Sequence, residues 1–234
     1  MSKVPSVNLA DFLSSDESRK QKFINEIGNA YETIGFVALK GHFLDDELVD
    51  NLYKEIKNFF DLPTEVKEKY EIPGIGGQRG YVSFGKESAK GKKEGDLKEF
   101  WHFGQYVDAD SKYAKEYPDN VEVKELPEFN KTGKLTYQML EKTAKYVLRS
   151  LALHLGLEET YFDNYIKNGN SILRPIHYPP IQTEPKGAER AAAHGDINLI
   201  TLLMGAQGKG LQVQDHDGVW HDAIAQPDEL MINV

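Results

Sequence analysis

The periodicity of the chain changes once, after Gly169, and this change restricts the fold more than any other feature. Before it, apolar residues recur at helical spacing; after it, short apolar runs are divided by turn residues, as strands are. Helices first and barrel-like strands afterwards is the order of an α+β domain. Phe23, Ile27, Ala30, Tyr31 and Ile34 predict a helix over 18–33 that Gly35 stops, and 36–39 reads as a short buried strand. Leu48, Leu52, Ile56, Phe59 and Phe60 mark a second helix capped by Asp45 or Asp46. A short helix opens at Pro63-Thr64 and reaches about Tyr70. The longest helix is predicted over 132–155, closed by Gly156, and another over 158–167.

In the second half, strands are predicted over 171–178, 191–194, 197–204, around Leu211 and Val213, from Val219 and over 230–234. Pro179-Pro180, Asp215-His216-Asp217-Gly218 and Pro227-Asp228 supply turns. The five glycines within 73–85 form a loop without the Gly-Lys-Ser/Thr of a phosphate-binding loop. Residues 86–98 read as a solvated charged stretch, although Lys90, Lys92 and Lys93 could attract an acidic substrate. Phe100-Trp101-His102-Phe103-Gly104 is an aromatic cluster, either lining a pocket or simply packed. His154 reads as a packed core histidine.

Several function classes are poor fits. The chain has no cysteine, so disulfides, Fe–S clusters and Cys-based zinc sites are excluded, and any metal must be held by nitrogen and oxygen. The formal net charge is −9 with no basic stripe, which disfavours nucleic acid and anionic membrane surfaces as partners. The first residues have no apolar signal core, and no run is long enough to span a bilayer. A cytoplasmic protein acting on a small molecule is the expectation.

His194-Gly195-Asp196, just before the apolar run 197–204, is the candidate chemical motif. In an extended segment, side chains two apart share a face, so the imidazole and the carboxylate would aim at one point. Joined by a distant His, they make the 2-His-1-carboxylate face that holds non-haem Fe(II) and leaves positions open for substrate and dioxygen. A surface turn is the bland reading of the same tripeptide.

Further motifs fall in order around it. The segment 4–37 is similar to an N-terminal region with a short strand, a long helix and a "GF" strand. Asp96-Leu97-Lys98-Glu99-Phe100 is similar to a "D-x-K-E" segment, and Leu173-Arg174-Pro175-Ile176-His177-Tyr178-Pro179-Pro180 to an "L-R-x-N-Y-Y-P-P" strand. Residues 199–203 match "L-T-L-L", Gly210-Leu211-Gln212-Val213 matches "G-L-Q-V", and Gly218-Val219-Trp220 matches "G-x-W". Over its whole length the chain thus resembles the isopenicillin N synthase-like branch of the Fe(II)- and 2-oxoglutarate-dependent oxygenases.

The resemblance implies a helical N-terminal region with a double-stranded β-helix, or jelly-roll. It divides the chain into an N-terminal region (1–110), connecting helices (111–170) and a partial oxygenase jelly-roll (171–234). It implies Fe(II) as metal and 2-oxoglutarate as cosubstrate, with succinate and CO₂ formed as a substrate C–H bond is hydroxylated, desaturated or cyclised. His194 and Asp196 would be two of three iron ligands. Tyr178 would face the cosubstrate or substrate. Arg174, on the same strand face by the period of two, would bind a carboxylate or serve as an ion-pair partner. Ile176 stands where the family often has Asn, so that side chain's hydrogen bond is lost.

The family's "N-x-G-D", second iron His and Arg-x-Ser follow the strand that 230–234 resembles, and Val234 precedes all of them. His216 and His221 match neither. The chain therefore reads as a C-terminally incomplete oxygenase domain. It follows that 230–234 should lack a following partner strand, and that apolar residues among 199–203 and 230–232 should be exposed. Residues 1–234 alone should bind Fe(II) weakly and turn over little. Two other readings are a jelly-roll that binds a small acid without chemistry and a cupin-like metal enzyme. The helical N-terminal half and the motif order argue against the latter.

Overall fold

The computed structural model describes residues 4–87, 95–181, 190–191, 193–205 and 210–234. Its elements are β1 (Ser6–Asn8), α1 (Leu9–Phe12), α2 (Glu17–Thr33), β2 (Phe36–Lys40), α3 (Asp46–Phe60), α4 (Thr64–Lys67), β3 (Gly80–Val82) and β4 (Glu99–Gly104). There follow α5 (Pro127–His154), α6 (Asp163–Ile166), β5 (Ile172–Leu173), β6 (Ile176–His177), β7 (Thr201–Leu203), β8 (Gln212–Gln214), β9 (Trp220–Asp222) and β10 (Leu230–Asn233). This is the α+β order expected. The chain divides into two compact units, one of Met1–Phe43, Met139–Ile166 and Asp196–Val234, the other of Leu44–Gln138 and Lys167–Gly195. Among the described residues no helix is long and apolar enough to cross a membrane.

The first unit is built on a four-stranded sheet in the order β1-β2-β10-β7. Helix α2 begins where the Asp16 carboxylate accepts from the Ser18 and Arg19 amides, a side-chain N-cap. It ends at Gly35, whose φ of 73° only glycine adopts cheaply. Strand β2 runs parallel to β1 and antiparallel to β10. The expectation for 230–234 is overturned here. Strand β10 is interior, paired to β2 on one side and to β7 on the other, and Leu230, Met231 and Ile232 are 2%, 0% and 0% exposed. The apolar run does form a strand, but its neighbour β2 comes from the other end of the sequence, which local pattern does not reveal. The expected exposure is found instead before β7: Leu199 is 49% exposed, and Ile197 is wholly so.

His154 closes the C-terminal end of α5. Its ring packs on Gly28, where a Cβ would come within 2.1 Å of Nδ1, and its Nε2 lies 2.9 Å from Glu32, as a packed histidine should. The helix predicted over 158–167 shortens to α6, because i→i+3 bonds such as Tyr161 N to Glu158 O form a turn before it. The β8–β9 hairpin closes on Asp215, whose Oδ1 accepts from the Asp217 and Val219 amides.

The second unit gathers around β4. Helix α3 is capped by Asp45, which accepts from Leu48 N at 2.8 Å. Its Phe59 and Phe60 join Tyr70, Tyr81, Trp101, Phe103, Val123 and Phe129 in one aromatic core. Phe59 stacks on Phe129 and meets Trp101 edge-on, both at 4.9 Å, geometries worth about 0.5–1.5 kcal/mol beyond burial. Of the two readings of the aromatic cluster, Trp101 thus follows the packed one. Within the predicted glycine loop, 80–82 is strand β3, paired with β4. Helix α5 starts earlier than its apolar stripe, at Pro127, whose missing N–H costs nothing in a first turn.

Candidate active-site residues and their surroundings

All six residues of β4 are buried, charged ones included. Glu99 is 5% exposed. Its carboxylate accepts from Lys67 Nζ at 2.8 and 3.1 Å, from the Tyr81 hydroxyl, and from His177 Nδ1 at 2.8 Å. Burial alone would raise the Glu99 pKa, but these three donors outweigh it and hold the carboxyl below its ordinary range. Lys67 is anchored further by the Phe60 carbonyl at 3.1 Å.

A second charged cluster lies beside the first. Buried Lys98 reaches Glu87 at 2.7 Å and Asp96 at 2.9 Å. Arg174 meets Glu87 at 3.2 Å, lies 4.4 Å over the Phe100 ring, and donates from Nε to His102 Nε2 at 2.6 Å. Since Nε2 accepts, Nδ1 carries the proton and donates to the Gly77 carbonyl at 2.6 Å. Burial, helped by the Arg174 charge, pushes the His102 pKa down to about 4, so the ring is neutral. The stretch 86–98, expected to be solvated, is therefore partly interior: Asp96 and Lys98 are buried because each satisfies the other. Lys90, Lys92 and Lys93 lie outside the described residues.

The strand predicted over 171–178 is broken in two. Pro175 has no N–H for the ladder, while its carbonyl accepts from Trp101 N at 3.0 Å. Strand β5 therefore pairs with Phe103 and Gly104, and β6 with Glu99 and Phe100. Arg174 falls at the break and Tyr178 just after β6, so one unbroken strand face does not relate them. They are nevertheless brought to the same cluster: Tyr178, half-buried, feels the charges of Lys98, Asp96, Arg174 and Glu87, and burial foremost raises its hydroxyl pKa.

The segment 193–200 that carries His194 and Asp196 is irregular and mostly exposed; of the strands predicted over 191–194 and 197–204, only Thr201–Leu203 is strand among the described residues. Local side-chain bonds explain the difference. Asn198 Nδ2 donates to Thr201 Oγ1 at 2.9 Å, and Thr201 Oγ1 donates to Asp196 Oδ2 at 2.7 Å. Asn233 Nδ2, on β10, donates to the same oxygen at 2.9 Å. The two units divide between Gly195 and Asp196.

Among the described residues, no group of three His, Asp or Glu side chains is placed to hold a metal ion. The chemistry of the donors present nonetheless suits iron. Asp196 offers a carboxylate oriented by two donors, as ligating carboxylates are, and His194 offers an imidazole. His216 sits in the β8–β9 turn, and His221 is held by Asp215 at 2.5 Å. Local pattern carries no sign that Glu99, Lys67 and Tyr81 assemble or that His102 joins Arg174; the one available signal is the charge-rich Asp96-Leu97-Lys98-Glu99 motif running into an aromatic run.

Comparison with known proteins places the chain. Residues 4–125 match the family described as non-haem dioxygenase in morphine synthesis N-terminal. A structure of a protein from Caulobacter crescentus assigned to the 2OG-Fe(II) oxygenase family superposes with a TM-score of 0.88 at 38% identity, covering 100% of this chain and 74% of that one. The structure of a full-length Neurospora crassa protein in complex with alpha-KG gives a TM-score of 0.81 at 27% identity over 99% of this chain and 71% of that chain. The 2-oxoglutarate-Fe(II) type oxidoreductase hxnY of Emericella nidulans is 30% identical over 93% of this chain, which spans 65% of that protein's length.

Proposed function

Because the chain belongs to the family of Fe(II)- and 2-oxoglutarate-dependent oxygenases, we propose that it serves the oxidation of a C–H bond in a small molecule. In this reading residues 1–110 form the N-terminal region, 111–170 supporting helices, and 171–234 part of the double-stranded β-helix. His194 and Asp196 are two of the iron ligands. Tyr178 and Arg174 face the cosubstrate or substrate. A cytoplasmic setting belongs to the proposal, since a chain without cysteine needs no oxidising compartment.

The observation that carries the reading is the oriented carboxylate of Asp196 inside the His194-Gly195-Asp196 motif. Thr201 and Asn233 fix one of its oxygens, so little side-chain freedom remains to be lost on binding a cation. Tyr178, kept protonated by burial, can donate to a carboxylate or alcohol oxygen. Arg174 has its guanidinium plane set by Phe100 and His102. Iron and 2-oxoglutarate, when bound, supply the oxidising power and leave succinate and CO₂ behind.

The test is Fe(II) titration together with succinate release. His194→Ala and Asp196→Ala should each lower Fe(II) affinity by at least the roughly 10- to 100-fold that losing an outer partner costs. Thr201→Val should lower it less. Unchanged iron binding in both ligand variants would remove the motif from the site.

A further inference from the structure

We infer that the Glu99–His177 pair is a latch that fixes the segment carrying Tyr178, which makes His177 and Glu99 positioning residues for that tyrosine. The inference rests on the reading of Tyr178 as a cosubstrate or substrate contact.

Backbone bonding leaves this segment loosely held. Strand β6 has two residues and pairs with β4 alone among the described strands. Pro175 precedes it and Pro179-Pro180 follow Tyr178, so three of the six residues 175–180 have no amide to donate. Something other than a ladder must set the direction of Tyr178.

The side chains of the facing pair supply that hold. Glu99 and His177 are direct cross-strand partners. His177 Nδ1 lies 2.8 Å from Glu99 Oε1, and its ring packs on Phe60 with centroids 5.1 Å apart. Glu99 is itself immobilised by Lys67 and Tyr81. The latch is therefore anchored in buried, fully bonded groups rather than on the surface. A hydrogen bond of this kind adds only modest net stability. What it does supply is a single orientation.

Adjacency then determines what the latch controls. Tyr178 directly follows His177, the last residue of β6. His177 engages the Glu99–Lys67–Tyr81 group, while Tyr178 is within reach of the Lys98, Asp96, Arg174 and Glu87 charges. Holding His177 therefore restricts where Tyr178, bonded to it along the chain, can point.

The experiment compares His177→Ala, His177→Gln and Tyr178→Phe in the full chain by two readouts. The first is amide hydrogen exchange at Ile176, His177 and Tyr178 without added metal. The second is 2-oxoglutarate affinity of the Fe(II)-loaded protein. Losing a hydrogen bond to a charged group should speed local exchange by about tenfold or more in His177→Ala, and His177→Gln, which retains a donor, should restore it. His177→Ala should also weaken 2-oxoglutarate binding as Tyr178→Phe does, while Tyr178→Phe leaves exchange unchanged. Unaltered exchange in His177→Ala overturns the latch. Faster exchange with unaltered 2-oxoglutarate affinity in His177→Ala, when Tyr178→Phe does weaken binding, overturns its positioning role. Unaltered affinity in Tyr178→Phe, with faster exchange in His177→Ala, instead removes the Tyr178 reading and leaves the latch as a structural feature.

Discussion

Strands β10 and β4 are both buried, on opposite terms. Strand β10 is interior because Leu230, Met231 and Ile232 are apolar and the sheet covers them on both edges. Strand β4 is equally hidden, yet it carries Glu99 and His102, with Lys67, Asp96 and Lys98 against its neighbours. Burial of the first follows from the hydrophobic effect alone. Burial of the second is possible only because each charge has a partner. An apolar strand can be held by non-directional burial, whereas a paired strand must have its partners in place together.

The contrast can be broken most sharply at Glu99. Glu99→Ala strands the Lys67 ammonium in the interior, and it should cost about 3–5 kcal/mol in denaturant unfolding. The triple variant Lys67→Met, Glu99→Leu and Tyr81→Phe, which also removes the buried hydroxyl that Glu99 accepts from, should recover most of that loss, because replacing all the bonded polar groups by apolar ones is often neutral. A triple variant as damaged as the single one would mean that packing, not charge pairing, governs β4.

In the first unit the corresponding change is Met231→Ala, expected to cost about 3 kcal/mol by leaving a cavity. The difference lies in pH. His102 titrates near 6.5 when unfolded and at about 4 in the fold. Between those values the unfolded state binds the extra proton, so stability falls as pH drops from about 6.5 to 4 and no further below. The loss should approach about 3 kcal/mol, and His102→Gln should abolish it while Met231→Ala leaves the slope intact. The carboxyls of Glu87 and Glu99, held below their ordinary range, act lower: their contribution is present above about pH 4.3 and is lost as pH falls through their folded values.

Smaller effects sharpen the picture. Gly28→Ala places a methyl against the His154 ring, for an expected cost of about 1–3 kcal/mol. Asp45→Ala removes the α3 cap and should cost about 1 kcal/mol. Both are read from thermal melts.

Local chemistry is legible in the sequence wherever it is decided locally. The stripe of α2, the stop at Gly35, the cap at Asp45 and the Asp215 turn all follow from neighbours in sequence. The apolar run 230–234 announces a strand, but its place beside β2 depends on residues nearly two hundred positions away. Charge in 86–98 suggests solvent, because a partner as distant as Arg174, which pairs with Glu87, is invisible to a local reading. Of the strands expected over 191–194 and 197–204, only Thr201–Leu203 forms among the described residues, for a third reason: Asn198, Thr201 and Asp196 bond to one another instead of leaving the backbone to a ladder. For the site, the His194-Gly195-Asp196 motif stands out, whereas the residues that hold Asp196 and the tyrosine segment do not.

The pairing of Leu230 with Leu39 has a consequence for biosynthesis. A ribosome makes the chain from its first residue onward, and β2 leaves the exit tunnel long before β10 exists. Until then β2 has β1 but not its antiparallel neighbour, and its apolar edge must wait. The β4 unit has no such delay, since all of its residues precede Asp196. Folding during translation is therefore expected to complete the charged unit first and the apolar sheet last. A growing chain would rely on chaperones to cover β2 in the interval, and a slowly translated 3′ message would lengthen that exposure.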